Sequence, residues 1–532
     1  MTQRNRWYRA HFKEVDGHFN NGVLELTPLP PGIAKADLLH LRMLYKEKND
    51  RDHTAKARLL FPKLPGGVGE YRTFSPTVKS TTFRRVMAEC AQWGYDIFGM
   101  DDTQAYGQAD WPANVPKLYG TVPDGYDAWI DGIYHCVRIG NLNGHPLAGR
   151  HWYDTKRLWI LNYRTPNGNR FEECDQDSCL LTLRENDAVL HVLWYVDDQL
   201  LCAKPGSKLR TDFAHAYAQR FNVTITGTDL DEFLSINITR SNDTGAISLD
   251  MERYITDLTL EAFPGGPHGQ YAVPARLELP SIVRAACKAK DTTVANTHIG
   301  TRYRFVVMAM LYVATMCRPD ILYSVGMLSR CCSYPNQALL NEAERVLTYL
   351  YNTRGLKLNF VAGSTETRGD WAPVRGPVTD ATTVGDSDSD HAVERSTSGH
   401  CFRRNGATIA ASSKAQQSIA ISSTHAEIMA GSLAACESIH LRGLDEHFAG
   451  KTLAAPTPLR MDNSGAIDIS IDPMHHGKAK HIERRHLHIR ELVMRKIIKP
   501  IWVKSVDNVA DIFTKPLAKV LFNSHRAALG LA

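Results

Sequence analysis

The four residues Tyr195-Val196-Asp197-Asp198 constrain this chain more than any other stretch. Ahead of them runs Ala188-Val189-Leu190-His191-Val192-Leu193-Trp194, rich in strand formers, and behind them Gln199-Leu200-Leu201-Cys202-Ala203. Two apolar runs joined by a two-residue acidic turn read as a β-hairpin. The expectation is a hairpin with Asp197 and Asp198 at its tip, anchored by apolar flanks. Adjacent like charges repel, so the arrangement makes best sense where divalent cations are held. An ordinary solvated Asp-Asp turn is the alternative, since acidic residues suit turns.

A second acidic site upstream favours the first reading. Tyr95-Asp96-Ile97-Phe98-Gly99-Met100-Asp101-Asp102 reads as a strand ending in carboxylates, and Thr103-Gln104-Ala105-Tyr106 as the polar turn after it. Together the two sites resemble the palm of a reverse transcriptase. Asp101 matches its first catalytic carboxylate and the Tyr195–Asp198 segment its YxDD motif, with room between them for the helix and strand that a palm places there.

Further segments resemble the copia-type LTR retrotransposons in particular. Lys56-Ala57-Arg58-Leu59-Leu60 is similar to their KARLV, Thr73-Phe74-Ser75-Pro76-Thr77-Val78 to TFSPVV, and Leu142 to Trp152 to LYGLKQAPRAW. Arg318-Pro319-Asp320-Ile321 is similar to RPDI. Their order along the chain, from Trp7 to Leu517, carries more weight than any one string. The second half adds Gly385 to Asp390 (GYSDAD), Ser422 to Ala430 (SSTEAEYMA), Arg460-Met461-Asp462-Asn463 (YCDN) and Asn508 to Leu517 (LADIFTKPL).

The resemblance implies an α+β chain. A right-hand polymerase of fingers, ferredoxin-like palm and thumb/connection would be followed by an RNase H-like α/β domain with a mixed sheet. The expected ranges are 1–90 for the fingers, 91–260 for the palm, 261–375 for thumb and connection, and 376–532 for the RNase H-like domain. Two Mg2+ ions per active site are implied, with Mn2+ as the substitute. Asp101, Asp197 and Asp198 would hold one pair, with Asp198 near the primer end. Asp388, Glu427, Asp462 and Asp511 would hold the other. Lys56 and Arg58 would neutralise a triphosphate, and ordinary surface charge is the other reading of both. Tyr106 stands where the family carries an aromatic ring beneath the incoming sugar, which leaves no room for a 2′-hydroxyl; a core tyrosine is its alternative.

Two choices stay open on the residues alone. Asp386 and Asp390 compete with Asp388, which is preferred on motif register only. Glu427 also fits a capping box, Thr424-x-x-Glu427, at the start of a helix with Ala430, Leu433, Ala434, Leu441, Leu444 and Phe448 on one apolar stripe.

The chain departs from the family pattern at several points. Leu147 stands for a customary Gln that contacts nucleotide or template, Asn143 for Tyr and Met308 for Gly. The loop before Asp511 is short and lacks the histidine of retroviral RNases H.

With 532 residues, 43% hydrophobic and 9% aromatic, about three folded domains are expected. A formal charge of +5 is only mildly basic, so a polyanion must be met by local clusters. Lys478, Lys480, Arg484, Arg485, Arg490, Arg495, Lys496 and Lys499 form one such cluster, read as a phosphate-contacting track beside the RNase H site, or else as a solvated helix face. Eleven scattered cysteines, with no CxxC pair, give neither a disulfide framework nor a zinc site and suit a reducing compartment. His475, His476, His481, His486 and His488 lack the companions of a tetrahedral site. No apolar run reaches the ~18 residues of a membrane span, and the N-terminus has no signal-peptide core.

Thr27 to Gly32 and Pro62 to Gly69 are expected as rigid loops, Phe263 to Gly269 as a boundary, and Gly363 to Gly369 as a linker. Tyr303 to Val313 and Asn341 to Tyr351 have helical periodicity, and Arg404-Asn405-Gly406 is a hairpin turn.

The expected function is extension of a DNA primer on RNA or DNA, with a fused RNase H cutting the RNA strand of hybrids, for retrotransposon replication. Partners would be RNA template, DNA primer, RNA–DNA hybrid, dNTPs and an integrase or Gag-like segment of the same polyprotein, with no membrane. No Gag-like, protease or integrase segment is visible. The expected place is a cytoplasmic virus-like particle, its DNA product destined for the nucleus. A domesticated or decayed nucleic-acid-binding scaffold is the alternative, which loss of a carboxylate would favour; all seven are present. An RNA-dependent RNA polymerase is disfavoured by Tyr106 and the RNase H motifs.

Overall fold

The alternating apolar pattern of the central hairpin builds a six-stranded antiparallel sheet. The computed structural model describes residues 3–47, 54–63, 71–228, 230–267, 269–361, 383–391, 395–471 and 487–532. The sheet runs in the order Val223–Gly227, Asp96–Asp102, Asp198–Ala203, Ala188–Tyr195, Asp177–Glu185, Phe171–Cys174. Successive side chains of a strand point to opposite faces. Asp102, Met100 and Phe98 therefore face the helices Ala148–Asn162 and Lys208–Arg220, whose rings Trp159, Phe213 and Tyr217 pack together. Asp101, Gly99 and Ile97 share the other face. There Cys202, registered against Ile97, meets Cys90 of the helix Ser80–Trp93.

Upstream, the helix Gln3–Asn20 packs beside a hairpin of Arg42–Glu47 with Ala55–Leu60. Strand Leu24–Pro28 pairs with Ile133–Ile139, which also pairs with Leu118–Gly120 and Trp129–Ile130. The loop expected from Thr27 to Gly32 is shorter than its sequence suggested, because Thr27 and Pro28 end that strand. Proline, lacking an N–H, is tolerated there because the strand is at the sheet edge.

After a small sheet that includes Ile236–Arg240 and Ile247–Asp250 come the helices Leu279–Ala289, His298–Met316, Leu322–Ser329 and Gln337–Asn352, which carry the two helical periodicities expected. The last sheet has five strands, ordered Ala407–Ala415, Thr397–Arg404, Val384–Ser389, Thr457–Met461, Ile498–Trp502. The first two are antiparallel to their neighbours and the last two parallel, as a mixed sheet requires. The hairpin turn expected at Asn405-Gly406 is present: φ is +49° and +77°, both in the left-handed region that a two-residue turn of this hand demands. The fold is α+β, and one hydrophobic core runs without a break from the six-stranded sheet into the mixed sheet.

The linker Gly363–Gly369, most of Pro62–Gly69, His268, the basic residues Lys478, Lys480, Arg484 and Arg485, and His475, His476, His481 and His486 lie outside the described residues. No helix among the described residues is long and apolar enough to cross a membrane.

Candidate metal centres

The hairpin at 195–198 forms, with one correction to its turn. Tyr195 pairs with Asp198, so the turn residues are Val196 and Asp197, and Asp198 opens the returning strand. Acidic propensity favours Asp-Asp in a turn, but the register that keeps Leu200 and Cys202 inside overrides it. Val196 then sits at φ +55°, costly for a β-branched residue. Its carbonyl is held by the Trp152 indole N–H at 2.7 Å and by Lys156 Nζ at 3.3 Å.

Asp198 lies directly across from Asp101 on the same face of the sheet. The Asp102 N–H donates to Asp197 O at 3.0 Å, tying the turn to the neighbouring strand. Burial and then Asp197 raise the Asp101 carboxyl, against Lys56 and Lys156, which lower it. Burial, Asp197 and Asp101 push Asp198 up to about 6. Three carboxyls held this close resist sharing full charge, the condition that a bound cation reverses.

Beneath them lies a pair that the sequence did not disclose. Lys156 is fully buried and donates to Asp102 Oδ2 at 2.6 Å; Gln199 and Tyr217 donate to the same carboxylate, each at 2.9 Å. The signal was the Asp101-Asp102 doublet, since alternation must send one aspartate outward and the other in.

Lys56 and Arg58 share the exposed face of strand Ala55–Leu60, while Ala57 and Leu59 are buried. The Lys56 ammonium lowers the Asp101 carboxyl, against the burial that raises it. Tyr106 follows Gln104, itself at φ +50°, in a short 3-10 turn. Its phenol is raised by burial, then by Asp197 and Tyr195, which places it beside the turn. A Cβ on Gly149 would meet the Tyr106 hydroxyl at 3.9 Å, ordinary van der Waals contact, so the start of the helix Ala148–Asn162 passes beside that hydroxyl. Leu147 is buried at the start of the Ala148–Asn162 helix. A cavity of about 580 Å³ adjoins Asp198, lined by Tyr195, Ser80, Leu234, Ser235 and Tyr312. Leu234 and Ser235 both have positive φ, and the Tyr312 hydroxyl holds Leu234 O at 2.7 Å.

In the mixed sheet, ligand atoms of Asp388, Glu427 and Asp462 lie within 4.8 Å of one another. Asp388 is on strand Val384–Ser389, Glu427 in the helix Ser423–Ala449, and Asp462 just past strand Thr457–Met461. Asp511, in the turn Val509–Phe513, joins from the side: burial and then Asp388 push it up to about 7, and Lys515 Nζ approaches it at 2.9 Å. Burial, Asp388 and Asp462 push Glu427 up to about 9. Glu427 Oε1 accepts the Ser389 N–H at 3.3 Å, while its buried Oε2 has no hydrogen-bond partner among the described residues. A buried, unpartnered carboxylate oxygen on a residue clustered with two other acids suits a divalent cation with oxygen ligands.

Geometry separates the residues of the two open choices. Asp386 is fully buried between Arg403 Nη2 at 2.6 Å and Arg460 Nε at 2.7 Å. Asp390 accepts the Thr397 N–H. Only Asp388 of the three meets Glu427 and Asp462. The helix is capped not by Thr424 but by Ser422, whose hydroxyl accepts the His425 N–H at 3.1 Å; the capping box is therefore absent and Glu427 is free for the cluster.

Of the expected basic track, Arg495, Lys496 and Lys499 are exposed, but Arg490 is not part of it. Arg490 is buried, and its Nε donates to Ile469 O at 2.5 Å, because it lies on the inward side of the helix His488–Met494. Lys515 and Thr514, which donates to Asp388 Oδ2, were not singled out from sequence. The i, i+4 spacing of Asp511 and Lys515 is the signal that was available.

These raised carboxyls set a pH dependence. A carboxyl whose folded pKa lies above its unfolded one adds stability below the unfolded value and loses it as pH rises through the folded value. Without divalent cations, stability should therefore fall from about pH 5 to pH 9, the window closed by Glu427 at about 9. The gain from Mg2+ should grow over the same range, because ligands must shed protons to bind. Thermal melts in chelator and in Mg2+ at several pH values check this; a melting gap that does not vary with pH contradicts it.

No family model matches the chain. It is 27% identical over 546 residues to the retrovirus-related Pol polyprotein from transposon TNT 1-94 of Nicotiana tabacum, covering 99% of this chain and 38% of that protein. It is 28% identical to the Pol polyprotein from transposon RE1 of Arabidopsis thaliana, over 99% of this chain and 34% of that one. The chain thus spans about a third of the length of these curated relatives. Among solved structures, foamy viral protease-reverse transcriptase in complex with double-stranded DNA covers 94% of this chain and 70% of its own, with 11% identity and a TM-score of 0.44. Over 99% of its length, and in the motif order described above, the chain is therefore similar to the retrovirus-related Pol polyproteins of plant copia-type transposons.

Proposed function

We propose that the chain extends a DNA primer on an RNA or DNA template and cleaves the RNA strand of the resulting hybrid, at two separate metal centres. The observation that carries this reading is that one chain assembles two acidic clusters on two sheets: Asp101 opposite Asp198 beside Asp197, and Asp388 with Glu427 and Asp462. Divalent cations bound there, Mg2+ or Mn2+, would stabilise the attacking and leaving oxygens of phosphoryl transfer.

The protein's own groups do the rest. Asp101 and Asp197 are the ligands of the first centre, and Asp198 supports it next to the 580 Å³ cavity, which receives the primer end. Lys156 and Trp152 hold the hairpin turn rigid from below. Lys56 and Arg58 meet the triphosphate. Residues 1–90, with the sheet in which Ile133–Ile139 joins Leu24–Pro28 to the short strands Leu118–Gly120 and Trp129–Ile130, act as fingers; the six-stranded sheet is the palm, and the helices after 260 the thumb. In the second centre Asp511 completes the ligand set and Lys515 balances its charge, a place where the expected histidine is missing. Selectivity for RNA there comes from 2′-hydroxyl contacts and helix shape. The partners are RNA template, primer, hybrid and dNTPs, with an integrase or Gag-like segment of the polyprotein, in a cytoplasmic particle.

Extension of oligo(dT) on poly(rA) with dTTP and Mg2+ tests the polymerase, and absence of product would return the decayed-scaffold reading. Tyr106→Ala or Tyr106→Val should raise ribonucleotide incorporation by about 10–100-fold, since a pocket that rejects one group by bulk separates substrates by about 1–3 kcal/mol. A primer-extension assay with rNTPs reads it, and unchanged discrimination removes Tyr106 from the role of sugar gate.

A further inference from the structure

Three parallel strands of the mixed sheet end at one edge. Val384–Ser389 delivers Asp388, its next-to-last residue, and Thr457–Met461 delivers Asp462, one residue past its end. Ile498–Trp502 delivers Trp502, its last residue. Ligands of open α/β sheets gather outside the carboxyl ends of such strands. Asp388 and Asp462 meet Glu427 there in the acidic cluster, and Trp502 is the third residue brought to the same edge.

This side chain is exposed where strand alternation would bury it. Ile498 and Pro500 share its parity and are buried, whereas Trp502 keeps 56% of its surface in water. Its indole N–H donates to Asp462 O at 3.1 Å, and the Val503 N–H donates to Met461 O at 2.9 Å. Asp462 lies one residue past the last strand pair, Met461 with Trp502, so the indole extends the ladder by one bond. Lys504 to Asp507 follow on the surface, and then Asn508 Nδ2 donates to Ser387 O at 3.0 Å, one residue before Asp388. Trp502 thus opens a loop that is stitched at both ends to the strands carrying the acids. Arg495, Lys496, Lys499 and Lys504, which flank it in sequence, are all exposed.

An exposed indole held by its own N–H has a fixed ring plane, so a partner that packs on it loses little to ordering. Lysines beside such a ring make a surface for a nucleic-acid strand, since the cations take phosphates and the ring takes a base or sugar. We propose that Trp502 contacts the RNA strand of the hybrid beside the scissile phosphate: its ring packs on a ribose, Lys504 takes the adjoining phosphate, and its N–H positions Asp462. The RNA strand is the one assigned because its phosphate must enter the acidic cluster, and Trp502 is hydrogen-bonded to Asp462 itself. The inference deepens the RNase H reading above and rests on it.

The test separates the ring from its N–H. Trp502→Phe keeps a flat ring and removes the donor, while Trp502→Leu removes both. At saturating Mg2+, Trp502→Leu should raise the KM of hybrid cleavage about 10-fold, the weight of one lost stacking contact, and Trp502→Phe should stay within about twofold of wild type. Calorimetry with Mn2+ in an Asp101→Asn background, where the second centre is the intact one, should show both variants binding the ion about 10-fold more weakly. In an Asp388→Asn background, which binds hybrid without cutting it, hydroxyl-radical footprints read sugar contacts on each labelled strand. Trp502→Leu should lose protection of riboses on the RNA strand and leave the DNA strand unchanged. Lys504→Ala should raise KM and lower the slope of log KM against log salt by about 1, and it decides the matter should Trp502→Leu fail to fold. Primer extension should be unaltered in all three. An unchanged KM and footprint in Trp502→Leu, or protection lost on the DNA strand instead, overturns the inference and leaves both activities in place. A wild-type chain that extends primers but cuts no hybrid overturns the RNase H reading and the contact with it.

Discussion

Asp101→Asn should lower primer extension by about 10³-fold or more and leave hybrid cleavage unchanged, while Asp388→Asn should do the reverse. Asparagine keeps the shape of each side chain and removes the charge a cation needs. Asp101 stands directly across the strand pair from Asp198, so the loss falls on the one face where those carboxylates meet. Asp388 belongs to a different sheet and meets Glu427 and Asp462 instead. Asp390→Asn, which weakens only a bond to the Thr397 N–H, should retain cleavage. Parallel extension and hybrid-cleavage assays on each variant read the result. Loss of both activities in either Asp101→Asn or Asp388→Asn would mean that the clusters are not independent centres.

Lys156→Met should destabilise the chain by about 3–5 kcal/mol near neutral pH, the usual consequence of stranding one member of a buried ion pair. Burial pulls the Lys156 ammonium down and the Asp102 carboxyl up, and each restrains the other's shift. Without the ammonium, Asp102 keeps only Tyr217 and Gln199 as donors, and its easiest relief is to take a proton. The deficit should therefore shrink as pH falls. Adding Asp102→Leu should recover most of it, because an apolar pair of similar volume is nearly neutral. Denaturant unfolding of the single and double variants measures all of this. Equal instability in both would show that packing around Lys156 matters and its charge does not. Extension should also suffer in Lys156→Met, since the same ammonium holds Val196 O.

What could be read before folding follows from the range of the forces involved. Strands 188–195 and 198–203 announce themselves by period-two hydrophobicity, and Asn405-Gly406 by backbone permissiveness; both are local properties. Asp388 could be told from Asp386 and Asp390 only by motif register, because the alternating spacing treats all three alike and tertiary neighbours divide them. The turn at 196–197 and the cap at Ser422 each moved by one or two residues, since propensity ranks nearby candidates almost equally and packing chooses among them. Lys156 and Arg84 were invisible for a further reason. Their partners lie 54 and 325 residues away along the chain, and nothing in a helical pattern marks a cation that will be buried.

The helix Ser80–Trp93 packs into both halves of the molecule at once. Such halves make poor interchangeable cassettes. A recombination event between elements that brought in a foreign nuclease half would also have to deliver an acid at position 445 and a small residue at 443, or Arg85 would keep Glu89 as its one carboxylate and the long helix Ser423–Ala449 would collide with Gln176. Mosaic elements joined near this point should therefore survive mainly when both parents already agree there.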